Sequence, residues 1–156
     1  MAAAEHIRTQ VRKGVKAHLA AAVGDLNVHY ASRIVRSFQS DNFPLVLVAV
    51  TDIPRASADP SDPIVERDVT VSIKISERTA FEDVEDRVDG MCLRIEKALV
   101  NPGDLGFGKY WGWKIGATSA PELDPLSEDT LLMSVVMPIT FTLATRDTDP
   151  GENINP

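Results

Sequence analysis

Two segments of the chain carry apolar side chains at the three- and four-residue spacing of an amphipathic helix. The first covers residues 5–23, keeps its arginines and lysines away from the apolar stripe, and is expected to end at Gly24. The second begins after Thr79, for which we predict a capping box with Glu82, and continues to Leu99. Acidic side chains in its first turn and basic ones in its last turn suit the helix dipole. Both patterns predict helices with one face turned to a core.

Four other segments have the composition or the alternation of β-strands. Residues 28–38 mix β-branched, aromatic and arginine side chains, which favours an exposed strand. Residues 45–50 are apolar at every position, which predicts a central strand covered on both faces. Residues 69–76 alternate apolar and polar, as a strand with one buried face does. Residues 132–145 alternate as well, but Pro138 cannot donate to a ladder, so we expect this strand at an edge or at a bulge.

The remaining stretches are predicted to be mostly loops. Residues 51–63 contain prolines, aspartates and serines, which is typical of a surface loop. We expect one strand at residues 110–115, followed by an acidic loop at 122–129. The polar end of the chain should be poorly ordered when free. The predicted organisation is therefore a single domain over residues 1–146 and a flexible acidic C-terminal tail over residues 147–156.

The predicted order of elements is helix, three strands, helix, two strands. Each helix has one apolar stripe, and most strands have one apolar and one polar face. A single sheet with both helices on its apolar face buries all of these apolar surfaces. We predict an α+β fold, in which a single mixed β-sheet of about five strands has both helices packed on one face. The other face of the sheet is left for solvent or for another subunit.

Composition and charge narrow the classes of function. The chain has 156 residues, of which 44% are hydrophobic and 25% charged, as in an ordinary globular domain. Its net charge of -7 should repel duplex DNA on average. A single cysteine, Cys92, excludes an internal disulfide and a zinc site built from several cysteines. No apolar run approaches the length of a bilayer span, so no membrane partner is expected.

No residue pattern predicts catalysis, a cofactor or a metal site. The segment GFGKYWG at 106–112 has the spacing G-x-G-x-x-x-G and follows a helix, so close packing around its tryptophan is favoured over dinucleotide binding. Cys92 is expected to be a half-buried packing thiol, since nothing nearby supplies a base. The carboxylates of Glu82, Asp86 and Asp89 share a helical face, and the alternatives for them are cation binding or acid–base chemistry. Glu82 and Asp86 with a histidine give the enzyme alternative. A solvated face is the favoured interpretation of these carboxylates.

Contacts with another protein subunit are the better-supported use of the polar surface. Arg33 and Arg36 are three residues apart on a predicted strand, so their side chains point to opposite faces of the sheet. One of the two therefore cannot lie on the polar face. Trp111 and Trp113 share a face if their segment is extended, and they are either core residues or interface residues. The basic face of the first helix is interpreted as solvated, with docking of an acidic partner as the alternative. The interface candidates are Arg33, Arg36, Arg55, Trp111, Trp113, Glu122, Asp124, Glu128 and Asp129.

Several of these segments together resemble a known family. In chain order they are IRTQVRKGVKAHL, DNFPLVLVAV, VTVSIKI, AFEDVEDRVDGMCLRIEKAL and VVMPITFTL. They resemble the tail terminator proteins of long-tailed bacteriophages, of the lambda minor tail protein U type. The resemblance covers nearly the whole chain except residues 52–65 and the C-terminal tail. Its most specific parts are the turn before the apolar strand and the helix that begins with E-D-x-x-D.

The resemblance implies a structural role in virion assembly. Members of that family form a hexameric ring that docks on the finished tail tube, stops its polymerisation and provides the surface for head-tail joining. The implied partners are other copies of the chain, the tail tube protein, and a head-completion or connector protein, with DNA passing through the lumen without specific binding. The implied location is the head-proximal end of the viral tail, after assembly in the host cytoplasm. The loop at 52–65 and the segment 103–130 depart from the family pattern, so no family interface residue is transferred to them.

The sequence also suggests how such a ring closes. A strand that bears Arg33 and Arg36 on one side of the subunit and acidic loops on another are complementary, as a repeated contact between unlike faces requires. Two other functions stay open. One is a different head-tail neck or connector ring protein, and the other is a non-viral protein-binding module that uses the polar sheet face.

Overall fold

A mixed six-stranded β-sheet with two helices on one face forms the frame of the protein, which confirms the predicted α+β fold. The computed structural model describes residues 5–31, 43–56, 61, 63–80, 82–100, 102–128 and 130–155. The elements are helix α1 (Ile7–Ala22), a 3-10 turn (Gly24–Leu26), strands β1 (Val28–Tyr30), β2 (Leu45–Ala56) and β3 (Ile64–Ala80), helix α2 (Val84–Leu99), and strands β4 (Gly112–Ile115), β5 (Glu122–Pro125) and β6 (Thr130–Arg146). Among the described residues, no helix is long and apolar enough to cross a membrane.

The order of strands across the sheet is β1-β2-β3-β6-β4, and β5 also pairs with β6. β1 runs parallel to β2, and the other pairs are antiparallel. β3 and β6 pair over their full 17 residues. Because β3 occupies one side of β6, strands β4 and β5 follow each other along its other side. The described sheet therefore has two unlike edges, β1 and β2 on one side and β4 and β5 on the other.

The hydrophobic core lies between the sheet and the two helices. The alternation of β3 turns Val69, Val71, Ile73 and Ile75 toward the helices, and all four side chains are fully buried. The predicted stripes of both helices face them, which confirms their orientation. The fully buried helix residues are Ile7, Val11, Val15, Leu19, Val88, Ile95 and Leu99. Burial of such aliphatic side chains, worth roughly 1.5–3 kcal/mol each, holds the layers together.

Strand β6 lies inside the sheet, so placing it at an edge or bulge because of Pro138 was wrong. In an antiparallel pair, the N–H and C=O groups of one residue point to the same neighbouring strand. The carbonyl of Pro138 accepts a 2.8 Å hydrogen bond from Gly116, which follows the end of β4. The missing N–H therefore faces the β4 side, where the β4 ladder has ended, and pairing with Ser72 of β3 is unaffected.

The first part of the predicted surface loop at 51–63 is strand. β2 runs on to Ala56 and β3 begins at Ile64, which leaves residues 57–63 for the connection. Pro54 fits because even-numbered residues of β2 turn their N–H and C=O groups away from β3. Val46 donates to the turn before β1, and Val48 accepts from the residue after β1. The missing N–H of the proline thus costs no bond to β3.

Strand β2 lies between β1 and β3 at residues 46–48, as predicted for a central strand, and the rest of it forms an edge of the described sheet. It is not covered equally on both faces. Val46 and Val48 are fully buried against the helices, whereas Leu47 and Ala49 on the opposite face are half-buried. The continuous apolar run therefore indicated the position of the strand in the sheet but not the exposure of its second face.

Three predicted boundaries differ from the structure. Thr79 pairs with Leu131 in the sheet, and α2 is preceded by Asp83 without a side-chain capping bond, so the capping box was wrong. Part of the predicted acidic loop at 122–129 forms β5. Of the predicted strand at 28–38, β1 accounts for the first three residues, and residues 32–38 lie outside the described residues.

The C-terminal residues, predicted to form a flexible tail, are hydrogen-bonded to the domain in the structure. The N–H of Ile7 donates to the carbonyl of Pro150 at 2.9 Å, and Ile154 donates to the carbonyl of Ala144 at 3.0 Å. The side-chain amide of Asn153 donates to the carbonyl of Phe107 at 2.6 Å. Residues 147–155 thus join α1, β6 and the segment after α2, a long-range arrangement that the polar composition does not reveal.

Candidate interaction surface

The predicted interface residues separate onto the two edges of the sheet. Arg55 lies on β2 at one edge, while the tryptophans and the acidic residues lie on or near β4 and β5 at the other. The structure therefore brings Trp111, Trp113, Glu122, Asp124 and Glu128 to a common edge and keeps Arg55 apart from them. Arg33, Arg36 and Asp129 lie outside the described residues.

The β4–β5 edge combines exposed apolar and acidic side chains. Trp111 and Leu123 are each 56% exposed, but they lie at separate places along β6. The N–H of Trp111 donates to the carbonyl of Thr142, whereas Leu123 pairs with Met133, nine residues away along the strand. Glu122 and Asp124 flank Leu123 on β5 and are exposed, as is Glu128 beyond it, and Lys74 lies 3.9 Å from Glu122. An exposed aliphatic side chain among charged ones, as at Leu123, is typical of protein interfaces.

The two tryptophans differ in their surroundings, although the sequence places them on one face. Trp113 lies within β4 opposite Phe141 and packs against the core. Trp111 precedes β4 and projects into solvent. Trp113 is therefore partly a core residue, and Trp111 is the one available for a contact.

An aromatic groove lies beside this edge, between the end of α2, the segment 102–111 and the C-terminal residues. It consists of two adjoining hollows of about 710 and 470 Å³. Gly103, Gly106 and Gly108 have φ values of 73°, 86° and 86°, which only glycine adopts readily, and they let the segment reverse direction. The residues that line the two hollows are Val100, Pro102, Gly103, Asp104, Gly108, Lys109, Tyr110, Trp111, Trp113 and Asn155.

A cluster of three rings fixes the groove to the core. Phe107, which is buried, lies 5.5 Å from Phe141, and Tyr110 lies 5.0 Å from the same ring, both in edge-to-face geometry. Burial raises the pKa of Tyr110, so its hydroxyl keeps its proton at neutral pH. The groove therefore has a rigid aromatic base that stays uncharged.

Two buried N–H donors at the groove have no hydrogen-bond partner among the residues that the structure describes. They are Nε1 of Trp113 and Nδ2 of Asn155. The orientation of the Asn155 amide is set by its oxygen, which accepts a 2.9 Å bond from the N–H of Ala144. A buried donor without a partner costs about 1–3 kcal/mol, and native proteins contain few of them. Such donors mark this place as suited to an acceptor.

The opposite edge carries a basic and aromatic surface that includes Tyr30 of β1. The guanidinium of Arg12 lies 5.5 Å from the centroid of this ring, and the ammonium of Lys16 lies 5.2 Å from it. Both distances are within the range of cation–π contacts. In the part of the chain that the structure describes, neither cation forms a salt bridge with a carboxylate. In the sequence, Arg12 and Lys16 are four residues apart on a predicted helix, which places their side chains next to each other on its surface.

Arg55, the candidate on this side, has partners on its own sheet. Its guanidinium pairs with Glu66 and lies 3.1 Å from Asp68, which also accepts a 2.8 Å bond from the hydroxyl of Thr142. The charge of Arg55 is therefore largely balanced within the subunit.

A buried ion pair near the start of α1 was missed at the sequence level. Arg67 donates to Asp52 at 2.5 Å and to the hydroxyl of Thr145 at 2.9 Å, and both charged side chains are nearly buried. Arg8 lies 3.5 Å from the same carboxylate. Burial, and then the guanidinium of Arg67, lower the pKa of His6 beside this pair. The charges balance one another, so we interpret the pair as structural.

The residues of the enzyme alternative do not form a cluster in the structure. Glu82 and Asp86 are exposed at the start of α2, and the ring of His18 instead contacts the carbonyl of Ala98 at 2.6 Å. The described residues contain no group of three or more histidine, cysteine, aspartate or glutamate side chains placed to hold a metal ion. Burial, and then Asp89, raise the pKa of Cys92, which makes its thiol a weak nucleophile at neutral pH.

Comparison with known proteins adds no assignment. No protein-family model matches this sequence, and no curated protein is detectably similar to it. The two unlike edges of the sheet and the aromatic groove are therefore the features from which a function can be inferred.

Proposed function

We propose that this protein is a structural subunit of a bacteriophage tail that assembles head to tail into a ring, hexameric in the family that the sequence resembles. The ring caps the tail tube, ends its polymerisation and provides the surface to which the head is joined. The observation that carries the proposal is the difference between the two edges of the sheet. One edge carries Arg12 and Lys16 beside Tyr30, and the other carries the exposed carboxylates of β5 around the exposed Leu123.

A ring requires a contact between two different surfaces, repeated by rotation. Complementary charge on unlike faces favours this heterologous contact and disfavours a two-fold dimer, in which each face meets itself. Arg12 and Lys16 on one copy supply cations without salt-bridge partners among the described residues, and Glu122 and Asp124 on the next supply exposed carboxylates. Tyr30 and Leu123 supply the apolar part of the contact.

The proposed partners follow from the position of such a ring. One of its faces meets the tail tube protein and the other meets a head-completion or connector protein, at the head-proximal end of the tail in the virion. DNA passes through the lumen without specific binding, which suits a subunit with a net charge of -7, because adhesion to DNA requires neutralised phosphates.

A charge exchange between the two edges tests the proposal. The variant R12E/K16E has acidic groups on both edges, and the variant E122K/D124K has basic groups on both. We expect each variant alone to assemble at least about tenfold more weakly than the unaltered chain, because like charges then meet at every contact. An equimolar mixture of the two should recover assembly by alternating around the ring. The measurement is the mass by light scattering, with the tail tube protein of the same phage present.

The control for this experiment is D89K, which reverses one exposed charge in the middle of α2, away from both edges and from the ends of the helix. It should assemble as the unaltered chain does. Normal assembly of either edge variant by itself, or no recovery on mixing two variants that circular dichroism shows to be folded, would contradict the proposed contact.

A further inference from the structure

We propose that the aromatic groove binds a proline-bearing extended segment, and that its occupant is the sequence Pro-Ser-Asp-Pro at 60–63 of a second copy of this chain. The choice of a second copy rests on the proposed ring, in which like subunits are neighbours. The groove itself is argued from the described residues that line it.

The shape and lining of the groove suit proline. Tyr110, Trp111 and Trp113 present aromatic surface along two adjoining hollows, and Trp111 is more than half exposed. Aromatic-lined grooves bind segments in the polyproline II conformation, which has three residues per turn. A peptide with prolines three positions apart, as at 60 and 63, presents both rings on one side in that conformation.

The hydrogen-bonding groups are complementary as well. Trp113 and Asn155, which line the groove, each contain a buried donor that has no partner among the described residues, Nε1 and Nδ2. A proline-bearing segment supplies backbone carbonyls but lacks the N–H group at each proline. It is therefore richer in acceptors than in donors. Small movements of the two side chains would let carbonyls of the bound segment satisfy both donors.

One pair of charges fits this occupant. Lys109 lines the groove, and Asp62 lies between the two prolines of the segment. Asp104 also lines the groove and accepts a 2.8 Å bond from the N–H of Gly106, so the favourable charge contact is the local one with Lys109.

Pro63 of the same copy is held on the other side of β6 from the groove. The carbonyl of Pro63 accepts a 2.6 Å bond from Asp147, which continues the pairing of β3 with β6. The groove lies on the opposite side of β6, where β4 and the C-terminal residues pair with it. Strand β6 thus separates Pro63 from the groove of its own subunit, and a neighbouring copy is the source that the fold allows.

Binding of an isolated peptide tests this inference without requiring a ring. A fluorescein-labelled peptide of residues 56–65, ASADPSDPIV, is titrated with the variant R12E/K16E, in which no neighbouring copy is expected to fill the groove, and followed by fluorescence anisotropy. The groove substitutions below are made in this variant. We expect saturable binding, at least about tenfold weakening when both prolines of the peptide are replaced by alanine, and a similar loss in W111A, since a central aromatic anchor dominates such contacts. The variant W113F keeps a ring but removes the donor, and about fivefold weakening is expected. The control L93A removes an exposed side chain on α2 outside the groove and should bind within about twofold of the R12E/K16E parent.

Three results would overturn the inference. They are the absence of binding to the folded protein, equal binding of the alanine peptide, and equal effects of W111A and L93A. A decaproline peptide that binds more tightly than residues 56–65 would assign the groove to another protein and would also overturn the choice of occupant. Because the titration reports on single subunits, lost peptide binding with normal ring assembly contradicts the groove alone. Peptide binding without ring assembly contradicts the ring alone.

Discussion

Replacing Asp52 by alanine is expected to lower the free energy of unfolding by about 3–5 kcal/mol, the range for removal of one partner from a buried ion pair. Asp52 and Arg67 are nearly buried and bonded at 2.5 Å. Without the carboxylate, the guanidinium of Arg67 stays buried with only the hydroxyl of Thr145 as a partner, and Arg8 loses its nearby counter-charge. The measurement is urea unfolding followed by circular dichroism.

The control for this prediction is Glu66→Ala, which breaks the exposed salt bridge between Glu66 and Arg55. Exposed pairs contribute about 0–1 kcal/mol, so this variant should unfold almost as the unaltered protein does. Combining Asp52→Ala with Arg67→Met should recover part of the lost stability, because it removes the unpaired charge. Equal effects of Asp52→Ala and Glu66→Ala would show that the buried pair does not hold this end of the sheet.

Replacing Gly14 by alanine is expected to destabilise the protein by about 2–3 kcal/mol or more through overpacking, although alanine favours helices by about 1 kcal/mol over glycine. A Cβ atom at this position of α1 would lie 2.1 Å from the carbonyl oxygen of Leu105 and 3.2 Å from the ring of Phe107. Backbone cannot yield as a flexible side chain does. The helix or the segment that carries the groove must therefore move, and binding of the 56–65 peptide should weaken too.

A second helical glycine gives the matched control. At Gly90 of α2, a Cβ atom would meet nothing within 4 Å. Gly90→Ala should therefore raise the free energy of unfolding by about 0.5–1 kcal/mol, as helix propensity predicts. Thermal unfolding of both variants checks the pair. Stabilisation by both substitutions would mean that α1 does not pack as closely on Leu105 as described.

The elements that follow from local periodicity were predictable from the sequence. The stripes of α1 and α2 indicated the buried faces, since four-residue steps place side chains on one side of a helix. The alternation of residues 69–76 likewise gave the buried face of β3. The sequence shows a glycine at position 14 of the first predicted helix, a residue of low helix propensity. The reason for a glycine there was not predictable, because tertiary packing brings the carbonyl of Leu105 against it.

Features set by long-range pairing were not predictable. Pro54 and Pro138 predicted interruptions of the strands, yet both lie within strands. In each case the position without an N–H faces a side where no ladder hydrogen bond is lost. Which side a residue faces depends on the neighbouring strands, and these are not visible in the local sequence. The same applies to the candidate surface. Alternation predicted Trp111 and Trp113 on one face, but which of them is exposed and which packs on the core depends on where β4 begins. Tyr30 became a candidate only once α1 and β1 were adjacent, and Asn155 reaches the groove only because the C-terminal residues fold back.

The most direct test of the proposed ring is the solution mass of the unaltered protein by light scattering, with and without the tail tube protein of the same phage and across a range of salt concentrations. The proposal predicts a mass near six times the 17.0 kDa subunit, either in the free protein or on addition of the tube protein, with weaker assembly at high salt because charges join the edges. A subunit that stays monomeric and indifferent to the tube protein at every salt concentration would contradict it.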